Sequence, residues 1–214
     1  PGSFDMIAFS ISFEPDYLNV AAQLKYFNIP LERNTRTDSH PLVIAGGSAV
    51  FINPEPIADF MDAFFIGEAE ELAENFFRLF LPLPRKMFRK HLRSATKISG
   101  IYVPQYYQCQ YENEKQMSLE AEPGIPDRIP RHWVRDEAKL VTHSVLHNEV
   151  STFKDMALLE ATRGCIWACR FCTAGFIYRP PRLPNLEKTY DSLSQGLTDQ
   201  NDFTKTIGIV GPSV

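Results

Sequence analysis

Three of the four cysteines in this 214-residue chain, Cys165, Cys169 and Cys172, fall within eight positions. Their spacing, CxxxCxxC, lets three thiolates on one short segment turn around a single polynuclear centre. They do not supply four ligands. Structural zinc takes four donors in a closed tetrahedron, usually from two spaced pairs. The iron–sulfur cubane held by protein alone also takes four cysteines. A three-cysteine site leaves one iron open, and an open coordination position is where a substrate or cofactor binds. Cys109 could complete the set, but it sits far upstream in a run that reads as a regular strand. A zinc site could be completed instead by His143 or His147. A disulfide with one spare thiol fits less well, since this cysteine usage looks cytosolic.

The elements around the thiols decide where they stand. Met156–Glu160 reads as a strand, with Thr162-Arg163-Gly164 a tight exit from it. The cysteines then form a loop, Leu186 to Leu197 reads as the following helix, and Thr206 to Val210 as another strand. Strand, loop, helix and strand make a βα unit of a parallel barrel or sheet. Such folds place their chemistry on the loops at the carboxyl ends of the strands. Arg179 and Arg182 follow near the cysteines; they could neutralise a carboxylate of substrate or cofactor, or be surface charges between prolines.

The first part of the chain, 4–84, alternates strand and helix. Phe4 to Ile11 is a nearly continuous β-prone run, expected of a strand covered on both faces. Tyr17, Val20, Ala21, Leu24 and Phe27 recur at helical spacing. Leu42–Ala45 and Ala63–Ile66 are two further short strands, punctuated by Gly46-Gly47 and by Gly67. Glu68 to Phe80 returns to helical period with acidic residues first, which suits the positive end of the helix dipole. The pattern predicts a parallel α/β layer of three strands. The glycines at the strand exits could cradle a ligand or simply make tight turns.

Residues 85–150 read as a connector with short strands, among them an aromatic one from Gly100 to Tyr107, and 151–214 as a second structured region. The connector opens on Arg85, Lys86, Arg89, Lys90, Arg93 and Lys97. This is either a positive patch for RNA or a solvated helix with Met87, Leu92 and Ala95 facing inward.

Composition bounds the class. The net charge is −4, with 44% apolar and 22% charged residues, as in an ordinary globular protein. No apolar run approaches the roughly 18 residues of a membrane span, so no membrane partner is expected and the cytoplasm is the expected compartment. Mild acidity argues against holding nucleic acid by bulk charge. Pro1-Gly2-Ser3 looks like a cloning remnant, and the apolar strand at the other end stops without the neighbours that should cover it. The expectation is a piece of a longer protein.

The cysteine segment resembles the radical S-adenosylmethionine enzymes, whose hallmark is CxxxCxxC after the first strand of a (βα) barrel with an aromatic before the last cysteine, here Phe171. The resemblance implies that Cys165, Cys169 and Cys172 ligate three irons of a [4Fe-4S] cluster. S-adenosylmethionine would take the fourth iron through its amino and carboxylate groups, and Phe171 would lie beside the adenine. Reductive cleavage of the sulfonium would yield a 5′-deoxyadenosyl radical. A flavodoxin- or ferredoxin-like protein would supply the electron. Gly211 and Ser213 stand where the superfamily often places a Gly-Gly-Glu that receives the methionine amino group.

Glu160 to Cys165 with Cys169 to Pro180 is similar to one subgroup, which carries a cobalamin-binding-like N-terminal domain. Val43–Gly47, Asn53–Pro56, Asp59-Phe60 and Ile66–Glu68 resemble that domain's later strands and loops. The implied architecture is a Rossmann-like sheet domain followed by the first βα units of a truncated radical SAM barrel. Cobalamin lacks a histidine ligand motif here: Asp38-Ser39-His40 precedes a strand and has no following glycine, so His40 reads as a surface loop residue. The substrate is not readable, although RNA or protein methylation or methylthiolation belongs to the same superfamily. The alternative of a different class is a non-catalytic metal-binding or interaction module holding zinc or a structural cluster. The 214-residue piece alone is expected to be inactive.

Overall fold

A computed structural model describes residues 4–113, 115–140, 142–144, 150, 152–154, 156–167, 169–199 and 206–212. The chain divides into two units, one ending at Trp133 and the other beginning at Val134.

The first unit is built on a four-stranded sheet. It runs β1 (Met6–Ser10), α1 (Asp16–Tyr26), β2 (Leu42–Gly46), α2 (Ser48–Ile52), β3 (Ala63–Phe65), α3 (Glu70–Phe80), α4 (Phe88–Ala95) and β4 (Ile101–Tyr102). The strands lie in the order β1-β2-β3-β4. The first three are parallel, with Ile7 opposite Val43 and Ile44 opposite Ala63. The last is antiparallel, with Phe64 opposite Tyr102. A parallel layer is therefore present as the alternation predicts, and a short strand from the stretch read as connector joins it as the fourth strand.

β2 explains the layering. Its residues are buried on both faces: Val43 and Ala45 enter one core with Val20 and Leu24 of α1, while Leu42 and Ile44 enter another with Phe76 and Phe80 of α3. An uninterrupted apolar run suits a strand covered on two sides. β1 differs from expectation. It is an edge strand, and its Ala8 and Ser10 are exposed. An apolar run does not reveal which strand will lie outermost.

α3 places Leu72, Phe76 and Phe80 inward at helical spacing and carries Glu70 and Glu71 in its first turn. Ring centroids of Phe65 and Phe76 lie 5.0 Å apart, Phe76 and Phe80 4.6 Å, and Phe80 and Phe88 5.4 Å. Each buried ring contributes about 1.5–3 kcal/mol by leaving water. α4 buries Phe88, Leu92 and Ala95, with Met87 only partly covered. Residues 85–102, read from sequence as connector, thus pack into this unit's second core and its sheet.

The three arginines of the basic run face carboxylates within the unit. Arg89 pairs with Asp62, Arg93 with Glu122 at 2.9 Å, and Arg85 approaches Asp5 at 4.0 Å. Asp62 is buried and also receives Nη1 of Arg36 at 3.1 Å and the Val43 N–H at 2.8 Å. Arg36 donates further to the carbonyls of Pro30, Leu31 and Phe60. Burial pushes the Arg36 guanidinium below its ordinary range, against the opposing pull of Asp62. A hairpin of β5 (Tyr107–Glu112) and β6 (Lys115–Ala121) completes the unit, with Cys109 opposite Leu119.

The second unit contains β7 (Met156–Glu160), the short helix α5 (Ala174–Ile177), α6 (Leu186–Asp199) and β8 (Thr206–Val210). β7 and β8 are parallel, pairing Met156 with Thr206 through Glu160 with Val210. The strand–loop–helix–strand unit read from sequence is present with those strand limits. On the other side of β7, His143 bridges antiparallel to Leu159, and Ser144 exchanges hydrogen bonds with Leu158. No helix among the described residues is long and apolar enough to cross a membrane.

Candidate functional site

The cysteine loop leaves the carboxyl end of β7 and is closed at its neck. Arg163 and Arg182 pair through their backbones, with N–H to carbonyl distances of 3.0 and 2.8 Å in the two directions. Gly164 follows at a φ of +82°, a left-handed conformation that costs glycine little and other residues much. A Cβ there would also collide with the carbonyl oxygen of Tyr178. Only glycine fits, which explains the tight exit.

Side chains reinforce the neck. The Arg163 guanidinium forks onto Glu160, with Nε to Oε1 at 2.9 Å and Nη2 to Oε2 at 2.6 Å, and Nη2 also donates to Thr142 Oγ1 at 2.9 Å. Arg182 donates to the Val134 carbonyl at 2.8 Å and the Pro180 carbonyl at 2.9 Å. Both arginines are buried. Arg182 is therefore a structural tie and not a surface charge between prolines. Arg179 lies over the ring of Phe176 at 4.7 Å.

The thiols sit in three environments. Cys165 is buried beside the neck, Cys172 is half-buried and Cys169 is exposed. The Cys172 N–H donates to the Cys169 carbonyl at 3.1 Å, so these two share a single turn. All three are free thiols. Among the described residues, no three His, Cys, Asp or Glu side chains converge as a metal-binding group. The donor chemistry nonetheless fits an iron–sulfur centre: three soft ligands share one loop, and the buried Thr162 hydroxyl at its neck has no hydrogen-bond partner among the described residues.

The remaining expected positions divide. Phe171 is 92% exposed, and Ile166 and Trp167 beside it are exposed as well. Gly211 is exposed just past β8, and Ser213 lies outside the described residues. His143 turns its Nδ1 to the Ser144 carbonyl at 3.1 Å, and His147 lies outside the described residues. His40 accepts the Thr37 N–H at 3.0 Å within its own loop. Gly47 and Gly67 have φ of +106° and +121°, and their faces are filled by the backbones of Ile11 and His132. Those glycines make close turns, leaving no cradle of their own at these two exits.

Residues 2–104 match the family described as radical SAM proteins, N-terminal. This stretch is related to the N-terminal region of radical SAM proteins. This match lies wholly within the first unit and ends well before the cysteine loop, so the relationship does not rest on the thiols. Over 213 residues the chain is 27% identical to an uncharacterized protein of Methanocaldococcus jannaschii, an alignment that covers 99% of this chain and 39% of that relative. The chain thus spans about two fifths of the length of the curated relative it matches. No solved structure matches it.

Sequence reasoning missed the Glu160–Arg163 fork and the Asp62–Arg36–Arg89 network. A carboxylate three residues before an arginine was a visible signal for the first. Nothing local marks Asp62, because its partners come from distant segments.

Proposed function

We propose that the full-length protein is a radical S-adenosylmethionine enzyme whose [4Fe-4S] cluster is held by Cys165, Cys169 and Cys172. The observation that carries this reading is the placement of CxxxCxxC, as free thiols, on the loop leaving the carboxyl end of a parallel strand. When bound, the cluster and S-adenosylmethionine supply reductive sulfonium cleavage and a 5′-deoxyadenosyl radical for hydrogen abstraction. The chain's own residues do the rest. Gly164 lets the backbone turn back at the neck, Cys165 offers a thiol already screened from solvent, and Thr162 keeps a buried hydroxyl available to a ligand. Phe171 is the proposed neighbour of the adenine, and Gly211 with Ser213 the proposed neighbours of the methionine amino group.

In this reading the sheet of the first unit is a cobalamin-binding-like scaffold, β7 and β8 begin the catalytic barrel, and a cytoplasmic flavodoxin- or ferredoxin-like protein delivers electrons. Anaerobic reconstitution of the full-length protein tests it. The expected result is about four irons and four sulfides per chain, with 5′-deoxyadenosine formed on addition of reductant and S-adenosylmethionine. One zinc per chain without visible-region absorbance would instead establish a structural metal module.

A further inference from the structure

The loop 164–181 carries the three cysteines, and its two ends are tied together at the base. Two buried arginines meet there. Arg163 is held by the Glu160 carboxylate through a two-pronged, charge-assisted contact, the strongest kind of side-chain hydrogen bond. Thr142, from the segment flanking β7, adds a further tie, and the Glu160 N–H donates in turn to the Thr142 carbonyl at 3.0 Å. Arg182 joins the far end of the loop to Arg163 by backbone and is itself held by the Val134 carbonyl. The three cysteines then grade from buried Cys165 through half-buried Cys172 to exposed Cys169.

We infer that Glu160, Arg163, Thr142 and Arg182 form a clamp that sets Cys165 in place before metal arrives, making Arg163 a positioning residue for the first ligand. The physical reason is entropic. A loop that must be ordered on metal binding subtracts that ordering from the affinity, whereas a fixed neck leaves only the outer turn to close. The ligands would then engage in order, with Cys165 as the fixed point and Cys169 and Cys172 closing onto it. The role toward the cluster rests on the function proposed above; the fixed, screened state of Cys165 does not.

The test reads both parts separately. In the metal-free full-length protein, iodoacetamide labelling resolved residue by residue should modify Cys169 much faster than Cys165. Thr142→Val, a mild change of similar volume, and Glu160→Gln should each speed Cys165 labelling, by about tenfold for the loss of the charged contact, while Cys169 labelling is unchanged. Thermal unfolding of each variant identifies any that fails to fold, and Thr142→Val keeps the comparison if Glu160→Gln does. In the reconstituted protein the same variants should lose iron faster to a chelator and alter the electron paramagnetic resonance spectrum of the reduced cluster, and Arg163→Lys, which keeps the charge without the fork, should show both effects less than Arg163→Ala. Equal labelling of Cys165 and Cys169 in the unsubstituted protein, or folded variants with unchanged Cys165 labelling, would overturn the clamp. Correct labelling in a protein that takes up no iron would leave the clamp standing and remove the proposed function.

Discussion

Cys109 donates its Sγ hydrogen to Oε2 of Glu55 at 2.8 Å, joining the β5 hairpin to the turn before β3. The other oxygen of the same carboxylate accepts the Tyr102 hydroxyl at 2.6 Å. This cysteine is therefore engaged inside the first unit, as a protonated donor, in contrast to the three thiols of the second unit. Burial, and then the Glu55 contact, push its thiol up to about 11, and the same two causes raise the Tyr102 hydroxyl above its ordinary range.

A pH dependence follows. Both groups are held protonated in the folded chain beyond the pH at which they ionise when unfolded, so their contribution is complete at neutral pH. The thiol's part is lost as pH climbs from its ordinary value of about 8.5 through the folded value of about 11, and the Tyr102 hydroxyl's part only above its own ordinary value of about 10. The thermal midpoint should fall over that interval, and Cys109→Ala should flatten the fall. A midpoint independent of pH up to the folded value would contradict the assignment.

Asp62 holds two arginines and a backbone N–H in a buried site. Asp62→Ala leaves Arg36 charged, buried and short of its partner, a loss of about 3–5 kcal/mol. Denaturant unfolding followed by circular dichroism measures it. Asp59→Ala, at the exposed Arg33–Asp59 pair of 3.2 Å, serves as the comparison and should cost at most about 1 kcal/mol.

Phe76 touches both neighbours of its aromatic row and is fully buried. Phe76→Ala should cost about 3–5 kcal/mol through lost burial and the cavity left behind, read by the same unfolding measurement. Phe77, one position along and partly exposed, should cost much less.

Gly164→Ala forces a side chain into a left-handed conformation worth about 1–2 kcal/mol of strain, and against the Tyr178 carbonyl. The neck should open, and iron retained after reconstitution should fall by more than half while the first unit's unfolding is unchanged. Cys165→Ala, Cys169→Ala and Cys172→Ala should each abolish the spectrum of an intact cubane. Cys109→Ala should leave it intact, since its thiol is occupied by Glu55. Iron analysis and electron paramagnetic resonance report all four.

Much of the framework was legible along the chain. The limits of β7 and β8, their parallel pairing, the helix between them and the tight turn at Gly164 all appear where periodicity and glycine placed them. So do the buried β2 and the inward stripe of α3. The antiparallel pairing of β4 with β3 was hidden because a strand's own residues do not name its partner, and the edge position of β1 because a run of apolar residues looks the same at the rim as in the middle.

The sequence determined what is local: the spacing of three thiols, the glycine that lets the chain double back before them, and the alternation of strand and helix. These depend on residues within one turn or one strand of each other. The tertiary structure decided which charges are spent and which thiols are covered. Arg89 and Arg93 face carboxylates from remote segments, Arg182 is buried under the loop it closes, and Cys109 is committed to Glu55. Such outcomes depend on which distant segments meet, and chain spacing carries no record of that.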